Sequence, residues 1–216
     1  GETKYLESIM RTLSGIPSVE KMTPEMIEAL APMDATSIAK GYLDAVSYLL
    51  GDKKLFIEKL PYNFLYIGFI IKAFPKAKIV RLKRNPMDSC FAIYKQPFTW
   101  AYKFSYNLDD LGRYFVAHDR LFNHWRDLIG DQLIEVEYES LVNDSENQTR
   151  ALLDRLGLDF EEACLNFDQN ETASTTASSV QVREKIHSRS VLRWKRFEKQ
   201  LDPLRDYLDA AGVDAE

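Results

Sequence analysis

The amino-acid sequence has few cysteines and no long apolar run. Cys90 and Cys164 lie far apart without the paired spacing of a zinc or redox motif, and two thiols are too few for a disulfide framework in 216 residues. The apolar run at residues 64–71 ends at Lys72, well short of the about 18 uncharged residues that span a membrane. The amino terminus lacks the basic-then-apolar pattern of a secretory signal. These absences predict reduced cysteines, no membrane association and a cytoplasmic location.

The charge balance and the missing motifs exclude further classes of protein. The 28 basic and 33 acidic residues give a net charge of -5, which argues against a broad nucleic-acid-binding surface but permits a local basic pocket. His118, His124 and His187 do not have metal-ligand spacing with carboxylates or cysteines. The sequence contains no Gly-x-x-x-x-Gly-Lys-Ser/Thr or Gly-x-Gly-x-x-Gly motif. We therefore expect no nucleic-acid partner, no metal and no complete nucleoside-triphosphate site.

What remains is the composition of a globular protein. Apolar residues make up 45% of the chain and charged residues 28%, which is enough for one domain with a sizeable core. We find no internal repeat or low-complexity tail, and we predict a single domain over residues 1–216. The chain opens with Gly1 and Glu2 instead of Met, so we expect that Gly1 is a tag remnant or that the natural protein begins further upstream.

Hydrophobic periodicity predicts helices in the first third of the chain and an α/β alternation after it. Helices are predicted at residues 3–14, after the cap Thr23, and at 36–50, 109–129, 146–156 and 190–211, the last broken or kinked at Pro203. Short apolar runs predict three strands at residues 54–58, 77–82 and 132–137, and the polar stretch 170–179 is predicted to be a loop. This order is typical of a parallel α/β sheet flanked by helices.

Charged or aromatic side chains follow each predicted strand, where ligands bind in open α/β sheets. They are Lys59, Arg84 and Tyr138. A lysine, an arginine beside a helix N-terminus and an aromatic ring suit a phosphate and a nucleobase. Purely structural interpretations stay open for each one alone: Lys59 as a solvated charge at a strand end, and Arg84 as part of a turn before Pro86 at the first helical position. They do not explain why Arg84 follows two other cations at the same strand end.

Taken in order, the motifs resemble the sulfotransferase family. The matching segments are Glu58-Lys-Leu-Pro-x-Asn-Phe64, Phe74-Pro-x-Ala-Lys-Ile79, Arg84-Asn-Pro-x-Asp-x-Cys90, Tyr138-Glu-x-Leu-Val142, Leu156-Gly-Leu158 and Ser190-x-x-Arg193-Trp194. The sequence is most similar to bacterial sulfotransferases fused to tetratricopeptide repeats and to tyrosylprotein sulfotransferases. The resemblance runs from about residue 52 to residue 205.

The resemblance implies a P-loop-like α/β fold and a reaction. Members transfer a sulfuryl group from 3'-phosphoadenosine 5'-phosphosulfate to an acceptor hydroxyl or amine without a metal. By resemblance, Lys59 and Ser179 contact the phosphosulfate and Glu2 is the general base. A small-molecule or peptide acceptor and an upstream tetratricopeptide-repeat domain are the partners it implies.

The resemblance also assigns the other end of the donor. Arg84 binds the 3'-phosphate, Tyr138 lies against the adenosine, and Arg193 closes over the phosphate side. The family usually has a second phosphate-binding serine eight residues after the arginine, where this chain has Ala92. Ser89, one turn earlier, is our candidate replacement.

A second departure concerns the start of the domain. The family's first strand and its Pro-Arg-Ser-Gly-Thr-Thr phosphosulfate loop are expected upstream of Gly1. We therefore expect this chain to lack that strand and loop and to be inactive alone, with Glu2 unanchored at a fraying terminus.

Two other functions stay open from the sequence. One is a non-catalytic nucleotide-binding or interaction module of the same fold, which the sequence upstream of Glu2 would distinguish from an enzyme. The other, a P-loop small-molecule kinase, is weakened by the missing Walker pattern. The acceptor is not specified, because the aromatic segment 96–106 suits stacking on a ring and a packed lid equally well.

Overall fold

The computed structural model describes residues 2–17, 22–52, 55–98, 102–169 and 184–215. Two compact units make up the chain, Gly1–Ala77 and Lys78–Glu216. The prediction of a single domain stays a prediction.

The first unit is helical in its described residues. Its α-helices are α1 (Tyr5–Ser14), α2 (Pro24–Leu30), α3 (Ala35–Leu50) and α4 (Ile67–Ala73), with a 3-10 helix at Pro61–Tyr66 before α4. Local signals set their ends: Gly15 ends α1 in the left-handed region at φ 67°, and the Thr23 hydroxyl accepts the Met26 N–H at the start of α2. Most of the buried side chains of this unit form one core, which includes Met10, Leu30, Ile38 and Val46.

The strand predicted at residues 54–58 is wrong for the part of it that the structure describes. Residues 55–60 form neither strand nor helix. A strand needs a hydrogen-bonded neighbour, and the two strands in the described part of the chain pair with each other. The apolar side chains of this run are exposed as well, Ile57 to 82%. The run is a connection whose polar end, Glu58 and Lys59, contacts the first residues of the chain.

The second unit carries the sheet. Strands β1 (Ile79–Lys83) and β2 (Leu133–Glu137) pair in parallel, with Ile79 opposite Leu133 and Lys83 opposite Glu137. Its α-helices are α5 (Pro86–Tyr94), α6 (Leu108–Ile129), α7 (Tyr138–Asn143), α8 (Ser145–Leu156) and α9 (Glu198–Ala210). Parallel strands joined through helices confirm the predicted α/β class with a parallel sheet flanked by helices.

The core of this unit lies around Trp194. Met87 and Cys90 of α5, Leu111 of α6 and Leu204 of α9 belong to one cluster of buried side chains with the indole. Gly112 of α6 permits a close approach to α9, because a Cβ there would lie 2.9 Å from Cδ1 of Tyr207. Helices α5, α6 and α9 are thereby fixed against the short segment that precedes α9.

The last helix begins later than predicted. Residues 193–197 form a 3-10 helix, and α9 starts at Glu198 instead of residue 190. Leu192 has a φ of 53°, which the right-handed helix excludes, and the N–H groups of Leu192 and Trp194 donate to a side chain of α5. Pro203 lies within α9, which continues through it to Ala210.

In the residues that the structure describes, no helix is long and apolar enough to cross a membrane. Within the same ranges, no group of three or more His, Cys, Asp or Glu side chains is arranged to hold a metal ion. Cys90 is buried and Cys164 is exposed, and both are free thiols. Burial raises the pKa of the Cys90 thiol to about 12, so this side chain packs as a neutral group.

Candidate functional site

The register of the sheet brings two of the predicted site residues together. Because Lys83 lies opposite Glu137, the next residues along each strand, Arg84 and Tyr138, leave the sheet side by side. The Arg84 guanidinium carbon lies 5.0 Å from the centroid of the Tyr138 ring. One residue further, the Asn85 N–H donates to the Glu139 carboxylate at 2.9 Å. The carboxyl end of the sheet therefore presents a cation and an aromatic ring in contact.

The hydrogen-bond donors of the Arg84 side chain differ in whether they have a partner. Its Nη2 donates to the Ser190 carbonyl oxygen at 2.6 Å. Its Nε is buried and has no hydrogen-bond partner among the described residues. Buried polar groups are nearly always hydrogen-bonded, and an exception calls for a specific explanation. An oxygen atom of a ligand would explain the unpartnered Nε, because the guanidinium presents its N–H groups in a fork that matches phosphate.

The other two cations of this strand end are held by carboxylates. Arg81 is 6% exposed, and its side chain pairs with Asp119 and Glu135, each at 2.9 Å. Lys83 pairs with Glu137 at 3.2 Å. The hydrogen bond from Arg126, with further help from Arg81, holds the pKa of Glu135 below its usual range although burial opposes it. Of the three cations at this strand end, Arg81 and Lys83 therefore have structural roles in ion pairs.

A cavity of about 590 Å³ opens beside Arg84. Ser89 lines it together with Arg84 and Asn85, and His118 of α6 lines it too. Burial, with a smaller contribution from the Arg81 charge, lowers the pKa of His118 to about 4, so its imidazole is neutral at physiological pH. Tyr138, Arg193 and Ala92 are not among the described residues that line this cavity.

Asp88 is a residue of this region to which the sequence-based predictions assign no role of its own. It lies in the first turn of α5 and is fully buried. Its carboxylate accepts the Leu192 N–H at 2.5 Å and the Trp194 N–H at 3.0 Å. Pairing of Asp88 with a segment about one hundred residues later in the chain is not visible in local sequence patterns. The nearest signal was its place in the Arg84 to Cys90 motif.

Arg193 stands between those two bonded positions. Its side chain is exposed, while the neighbouring Trp194 is buried. Its charge also reaches the end of α5: burial first, then Arg193 and Arg84, lower the pKa of Lys95. Two predicted site residues, Arg84 and Arg193, thus act electrostatically on the same side chain of the second unit.

The remaining candidates lie in the first unit. The Lys59 Nζ donates to the Glu2 carboxylate, and the two side chains form an ion pair. Next to them, the Glu58 carboxylate accepts from the Thr3 N–H at 2.8 Å and from the Thr3 hydroxyl at 3.1 Å. The structure therefore brings together Glu2, which the resemblance assigns as the general base, and Lys59, which it assigns to the phosphosulfate.

This geometry corrects the expectation that Glu2 is unanchored. Glu58 also accepts from the Tyr42 hydroxyl at 3.1 Å. Burial, followed by the charge and hydrogen bond of Glu58, raises the pKa of Tyr42 to about 12, so Tyr42 stays a donor. The chain start is thus held on α3 and on residues 58–59. Sequence patterns do not predict these contacts, because neither Thr3 nor Tyr42 belongs to a matched motif.

Two further predictions concern Ser179 and the aromatic segment 96–106. Ser179 lies outside the described residues. In the aromatic segment, Phe104 stacks on Tyr114 with ring centroids 3.7 Å apart, and Phe98 contacts Tyr102 edge to face at 4.7 Å. These rings contact other rings of the same unit.

Comparison with known proteins identifies the family. The sulfotransferase family model matches residues 3–162. The chain is also similar to an uncharacterized protein of Aquifex aeolicus (strain VF5), with 33% identity over 215 residues. That match covers 96% of this chain but only 28% of the relative. Since the family model covers most of the chain, including the Arg84 and Tyr138 motifs, the chain belongs to the sulfotransferase family.

Proposed function

We propose that the chain is a sulfotransferase domain that uses 3'-phosphoadenosine 5'-phosphosulfate as donor and a hydroxyl or amine of a small molecule or peptide as acceptor. Family membership supports the reaction class. The observation that supports the donor is the buried Arg84 Nε, which has no partner among the described residues and stands beside the Tyr138 ring. A phosphate oxygen would satisfy this donor, and an adenine would extend the aromatic contact.

At the nucleotide end, each role follows from the chemistry of the side chain. Arg84 binds the 3'-phosphate, with Ser89 as a hydroxyl donor from the same cavity. Tyr138 supplies a flat apolar surface for the adenosine. Arg193, whose side chain is exposed in the described structure, adds a second positive charge on the phosphate side. A pocket of this kind distinguishes a 3'-phosphorylated nucleotide from one without that phosphate.

At the sulfuryl end, the proposed roles belong to Glu2, Lys59 and Ser179. The acceptor oxygen or nitrogen forms a bond to sulfur while the bond from sulfur to the 5'-phosphate oxygen breaks, and that oxygen keeps the electron pair. Lys59 stabilises the charge that grows on the leaving phosphate. Glu2 accepts the proton of the acceptor, and Ser179 donates a hydrogen bond to the phosphosulfate.

In the described structure Lys59 and Glu2 form an ion pair with each other, so neither side chain is yet available to a substrate. An exposed ion pair of this kind contributes little to stability, so its opening is not costly. Under our proposal the pair holds both side chains close by until a phosphate takes the lysine. The carboxylate is then available to the acceptor.

The first experiment tests the nucleotide. Binding of adenosine 3',5'-bisphosphate and of adenosine 5'-phosphate to the 216-residue chain is measured by calorimetry and by the shift in melting temperature. Ligand linkage predicts about 2.7 kcal/mol of stabilisation at a hundredfold excess over the dissociation constant. We expect the bisphosphate to bind more tightly. Equal binding of the two nucleotides, or none of either at millimolar concentration, would contradict the donor assignment.

The second experiment separates an enzyme from a non-catalytic binding module. Radiolabelled donor and a mixed panel of hydroxyl and amine acceptors are incubated with the 216-residue chain and with a chain extended upstream to include the expected phosphosulfate loop. We expect transfer by the extended chain. Tight bisphosphate binding without transfer to any acceptor class by the extended chain would favour the module.

A further inference from the structure

The carboxylate of Asp88 has no solvent contact, and both of its oxygens accept hydrogen bonds from one segment of backbone. Asp88 is 0% exposed, and it forms no ion pair among the described residues. Taking a carboxylate out of water is unfavourable unless it is well hydrogen-bonded. Here the compensation comes from the two backbone N–H groups and from its place in the first turn of α5, where a negative charge is favoured.

The two bonds straddle a single residue. The N–H groups of Leu192 and Trp194 donate to Asp88, and Arg193 lies between them. Leu192 has a φ of 53°, which is unfavourable for a residue with a side chain and persists only where the surroundings enforce it. Asp88 is the group that binds this N–H. The carboxylate therefore holds an unfavourable backbone turn directly before Arg193.

The same segment is held at two further points. Arg84 donates to the Ser190 carbonyl oxygen at 2.6 Å, and the Trp194 side chain is buried in the core of the second unit. Arg84 and Asp88 belong to one motif at the start of α5, and together they bind the backbone from residue 190 to residue 194. Side chains of that segment are fixed at their origin, while the Arg193 side chain remains exposed.

We propose that Asp88 is a positioning residue, which fixes the backbone on both sides of Arg193 and so sets where its guanidinium meets an anionic ligand beside Arg84. This inference rests on the proposed function, because the ligand is taken to be the 3'-phosphate end of the donor. A purely structural carboxylate would contribute to stability alone. A positioning carboxylate contributes to ligand affinity through Arg193.

The first readout needs no ligand. Hydrogen exchange of the Leu192 and Trp194 amides is followed in the wild type and in Asp88→Asn. The isosteric amide keeps one acceptor oxygen and turns an N–H₂ group toward the other bond, so one of the two amides loses its partner. We expect slow exchange at both positions in the wild type and faster exchange in the variant. Rapid exchange at both amides in the wild type would overturn the inference even if the variant did not fold.

The second readout is a double-mutant cycle on the affinity for adenosine 3',5'-bisphosphate. Asp88→Asn is measured in the wild type and in Arg193→Ala, with Leu208→Ala as a control that removes a buried side chain of the same core. We expect Asp88→Asn to weaken binding roughly tenfold in the wild type and less than about twofold without Arg193, because the two residues act as one unit. The control should lower the melting temperature and leave affinity unchanged.

The outcomes separate the two proposals. Equal losses from Asp88→Asn in both backgrounds, or a loss of the same size in Leu208→Ala, would show that the carboxylate acts through stability and would overturn the positioning role. A wild type that binds no bisphosphate would overturn the proposed donor and with it the ligand-directed role of Asp88. The exchange data would then still decide whether the carboxylate holds residues 192 and 194.

Discussion

Arg84 lies over the ring of Tyr138, with its guanidinium carbon 5.0 Å from the ring centroid. The contact follows from the pairing of β1 with β2, since each residue is the first one after its strand. A guanidinium over an aromatic face gains some electrostatic attraction and loses part of its freedom. The cation is therefore already oriented before a ligand arrives.

Replacing Arg84 with alanine should weaken adenosine 3',5'-bisphosphate binding by about 10- to 150-fold, since hydrogen bonds to charged groups contribute about 1.5 to 3 kcal/mol. Lys83→Ala is the matched control, because Lys83 is a neighbouring cation that pairs with Glu137. Calorimetric titration of both variants decides the matter. A similar loss in Lys83→Ala would mean that general positive charge, and not the Arg84 fork, binds the nucleotide.

Ser89→Ala should weaken bisphosphate binding about fivefold, as one hydroxyl hydrogen bond is worth about 1 kcal/mol. The reason is that Ser89 lines the cavity beside Arg84. Ala92→Ser restores the hydroxyl at the position where the family usually has one. If Ala92→Ser strengthened binding while Ser89→Ala had no effect, Ser89 would not be the replacement.

Lys59→Ala, in a chain extended upstream, should lower kcat by about 10²- to 10³-fold with a smaller change in donor affinity. The lysine is expected to act on charge that develops only as the leaving group departs. Lys76→Ala, at an exposed lysine of the same unit, should leave both constants unchanged. An effect on donor affinity alone would assign Lys59 to ground-state binding, and unchanged turnover in Glu2→Gln would remove Glu2 from the mechanism.

The stability of the fold should fall as the pH is lowered from 7 to 5, with His118 as a contributor. Its pKa is about 4 in the folded chain and near 6.5 when unfolded, so between these values only the unfolded state binds the proton. Stability from this group is therefore fully present above the unfolded pKa and is lost as the pH falls toward the folded one.

Urea unfolding at pH 7 and pH 5 measures this loss. We expect His118→Gln to lose less stability over the interval than the wild type, by about 2 kcal/mol. The difference between the two proteins isolates the histidine from carboxylates that titrate nearby. Identical losses would show that His118 binds its proton equally readily in the folded and the unfolded state.

Most of the helices were predictable because their ends carry local signals. Thr23 before Pro24 and Gly157 after Leu156 mark boundaries that the structure confirms. Strands β1 and β2 were predictable as apolar runs between helices. Such a run does not by itself say whether a partner strand exists, which is why the run at 54–58 gave the wrong prediction.

The parts of the site that escaped prediction depend on contacts between distant segments. Asp88 binds backbone about one hundred residues away, and Glu58 binds Thr3 at the chain start. In three of these hydrogen bonds the donor is a backbone N–H group, which every residue except proline carries. Such partners leave no pattern of side-chain types in the sequence. Motif order placed Arg84 and Tyr138 at strand ends, and the sheet register placed them in contact.

That register also limits which changes in chain length the fold tolerates. Pairing of Lys83 with Glu137 aligns residues 84 and 85 with residues 138 and 139. Removing one residue from β2 would put Glu139 opposite Arg84 in place of Tyr138 and would reverse the faces of the strand beyond the gap. Length variation among relatives should therefore fall outside residues 79–85 and 133–139, in the connections between elements, where an inserted loop leaves the paired strand ends undisturbed.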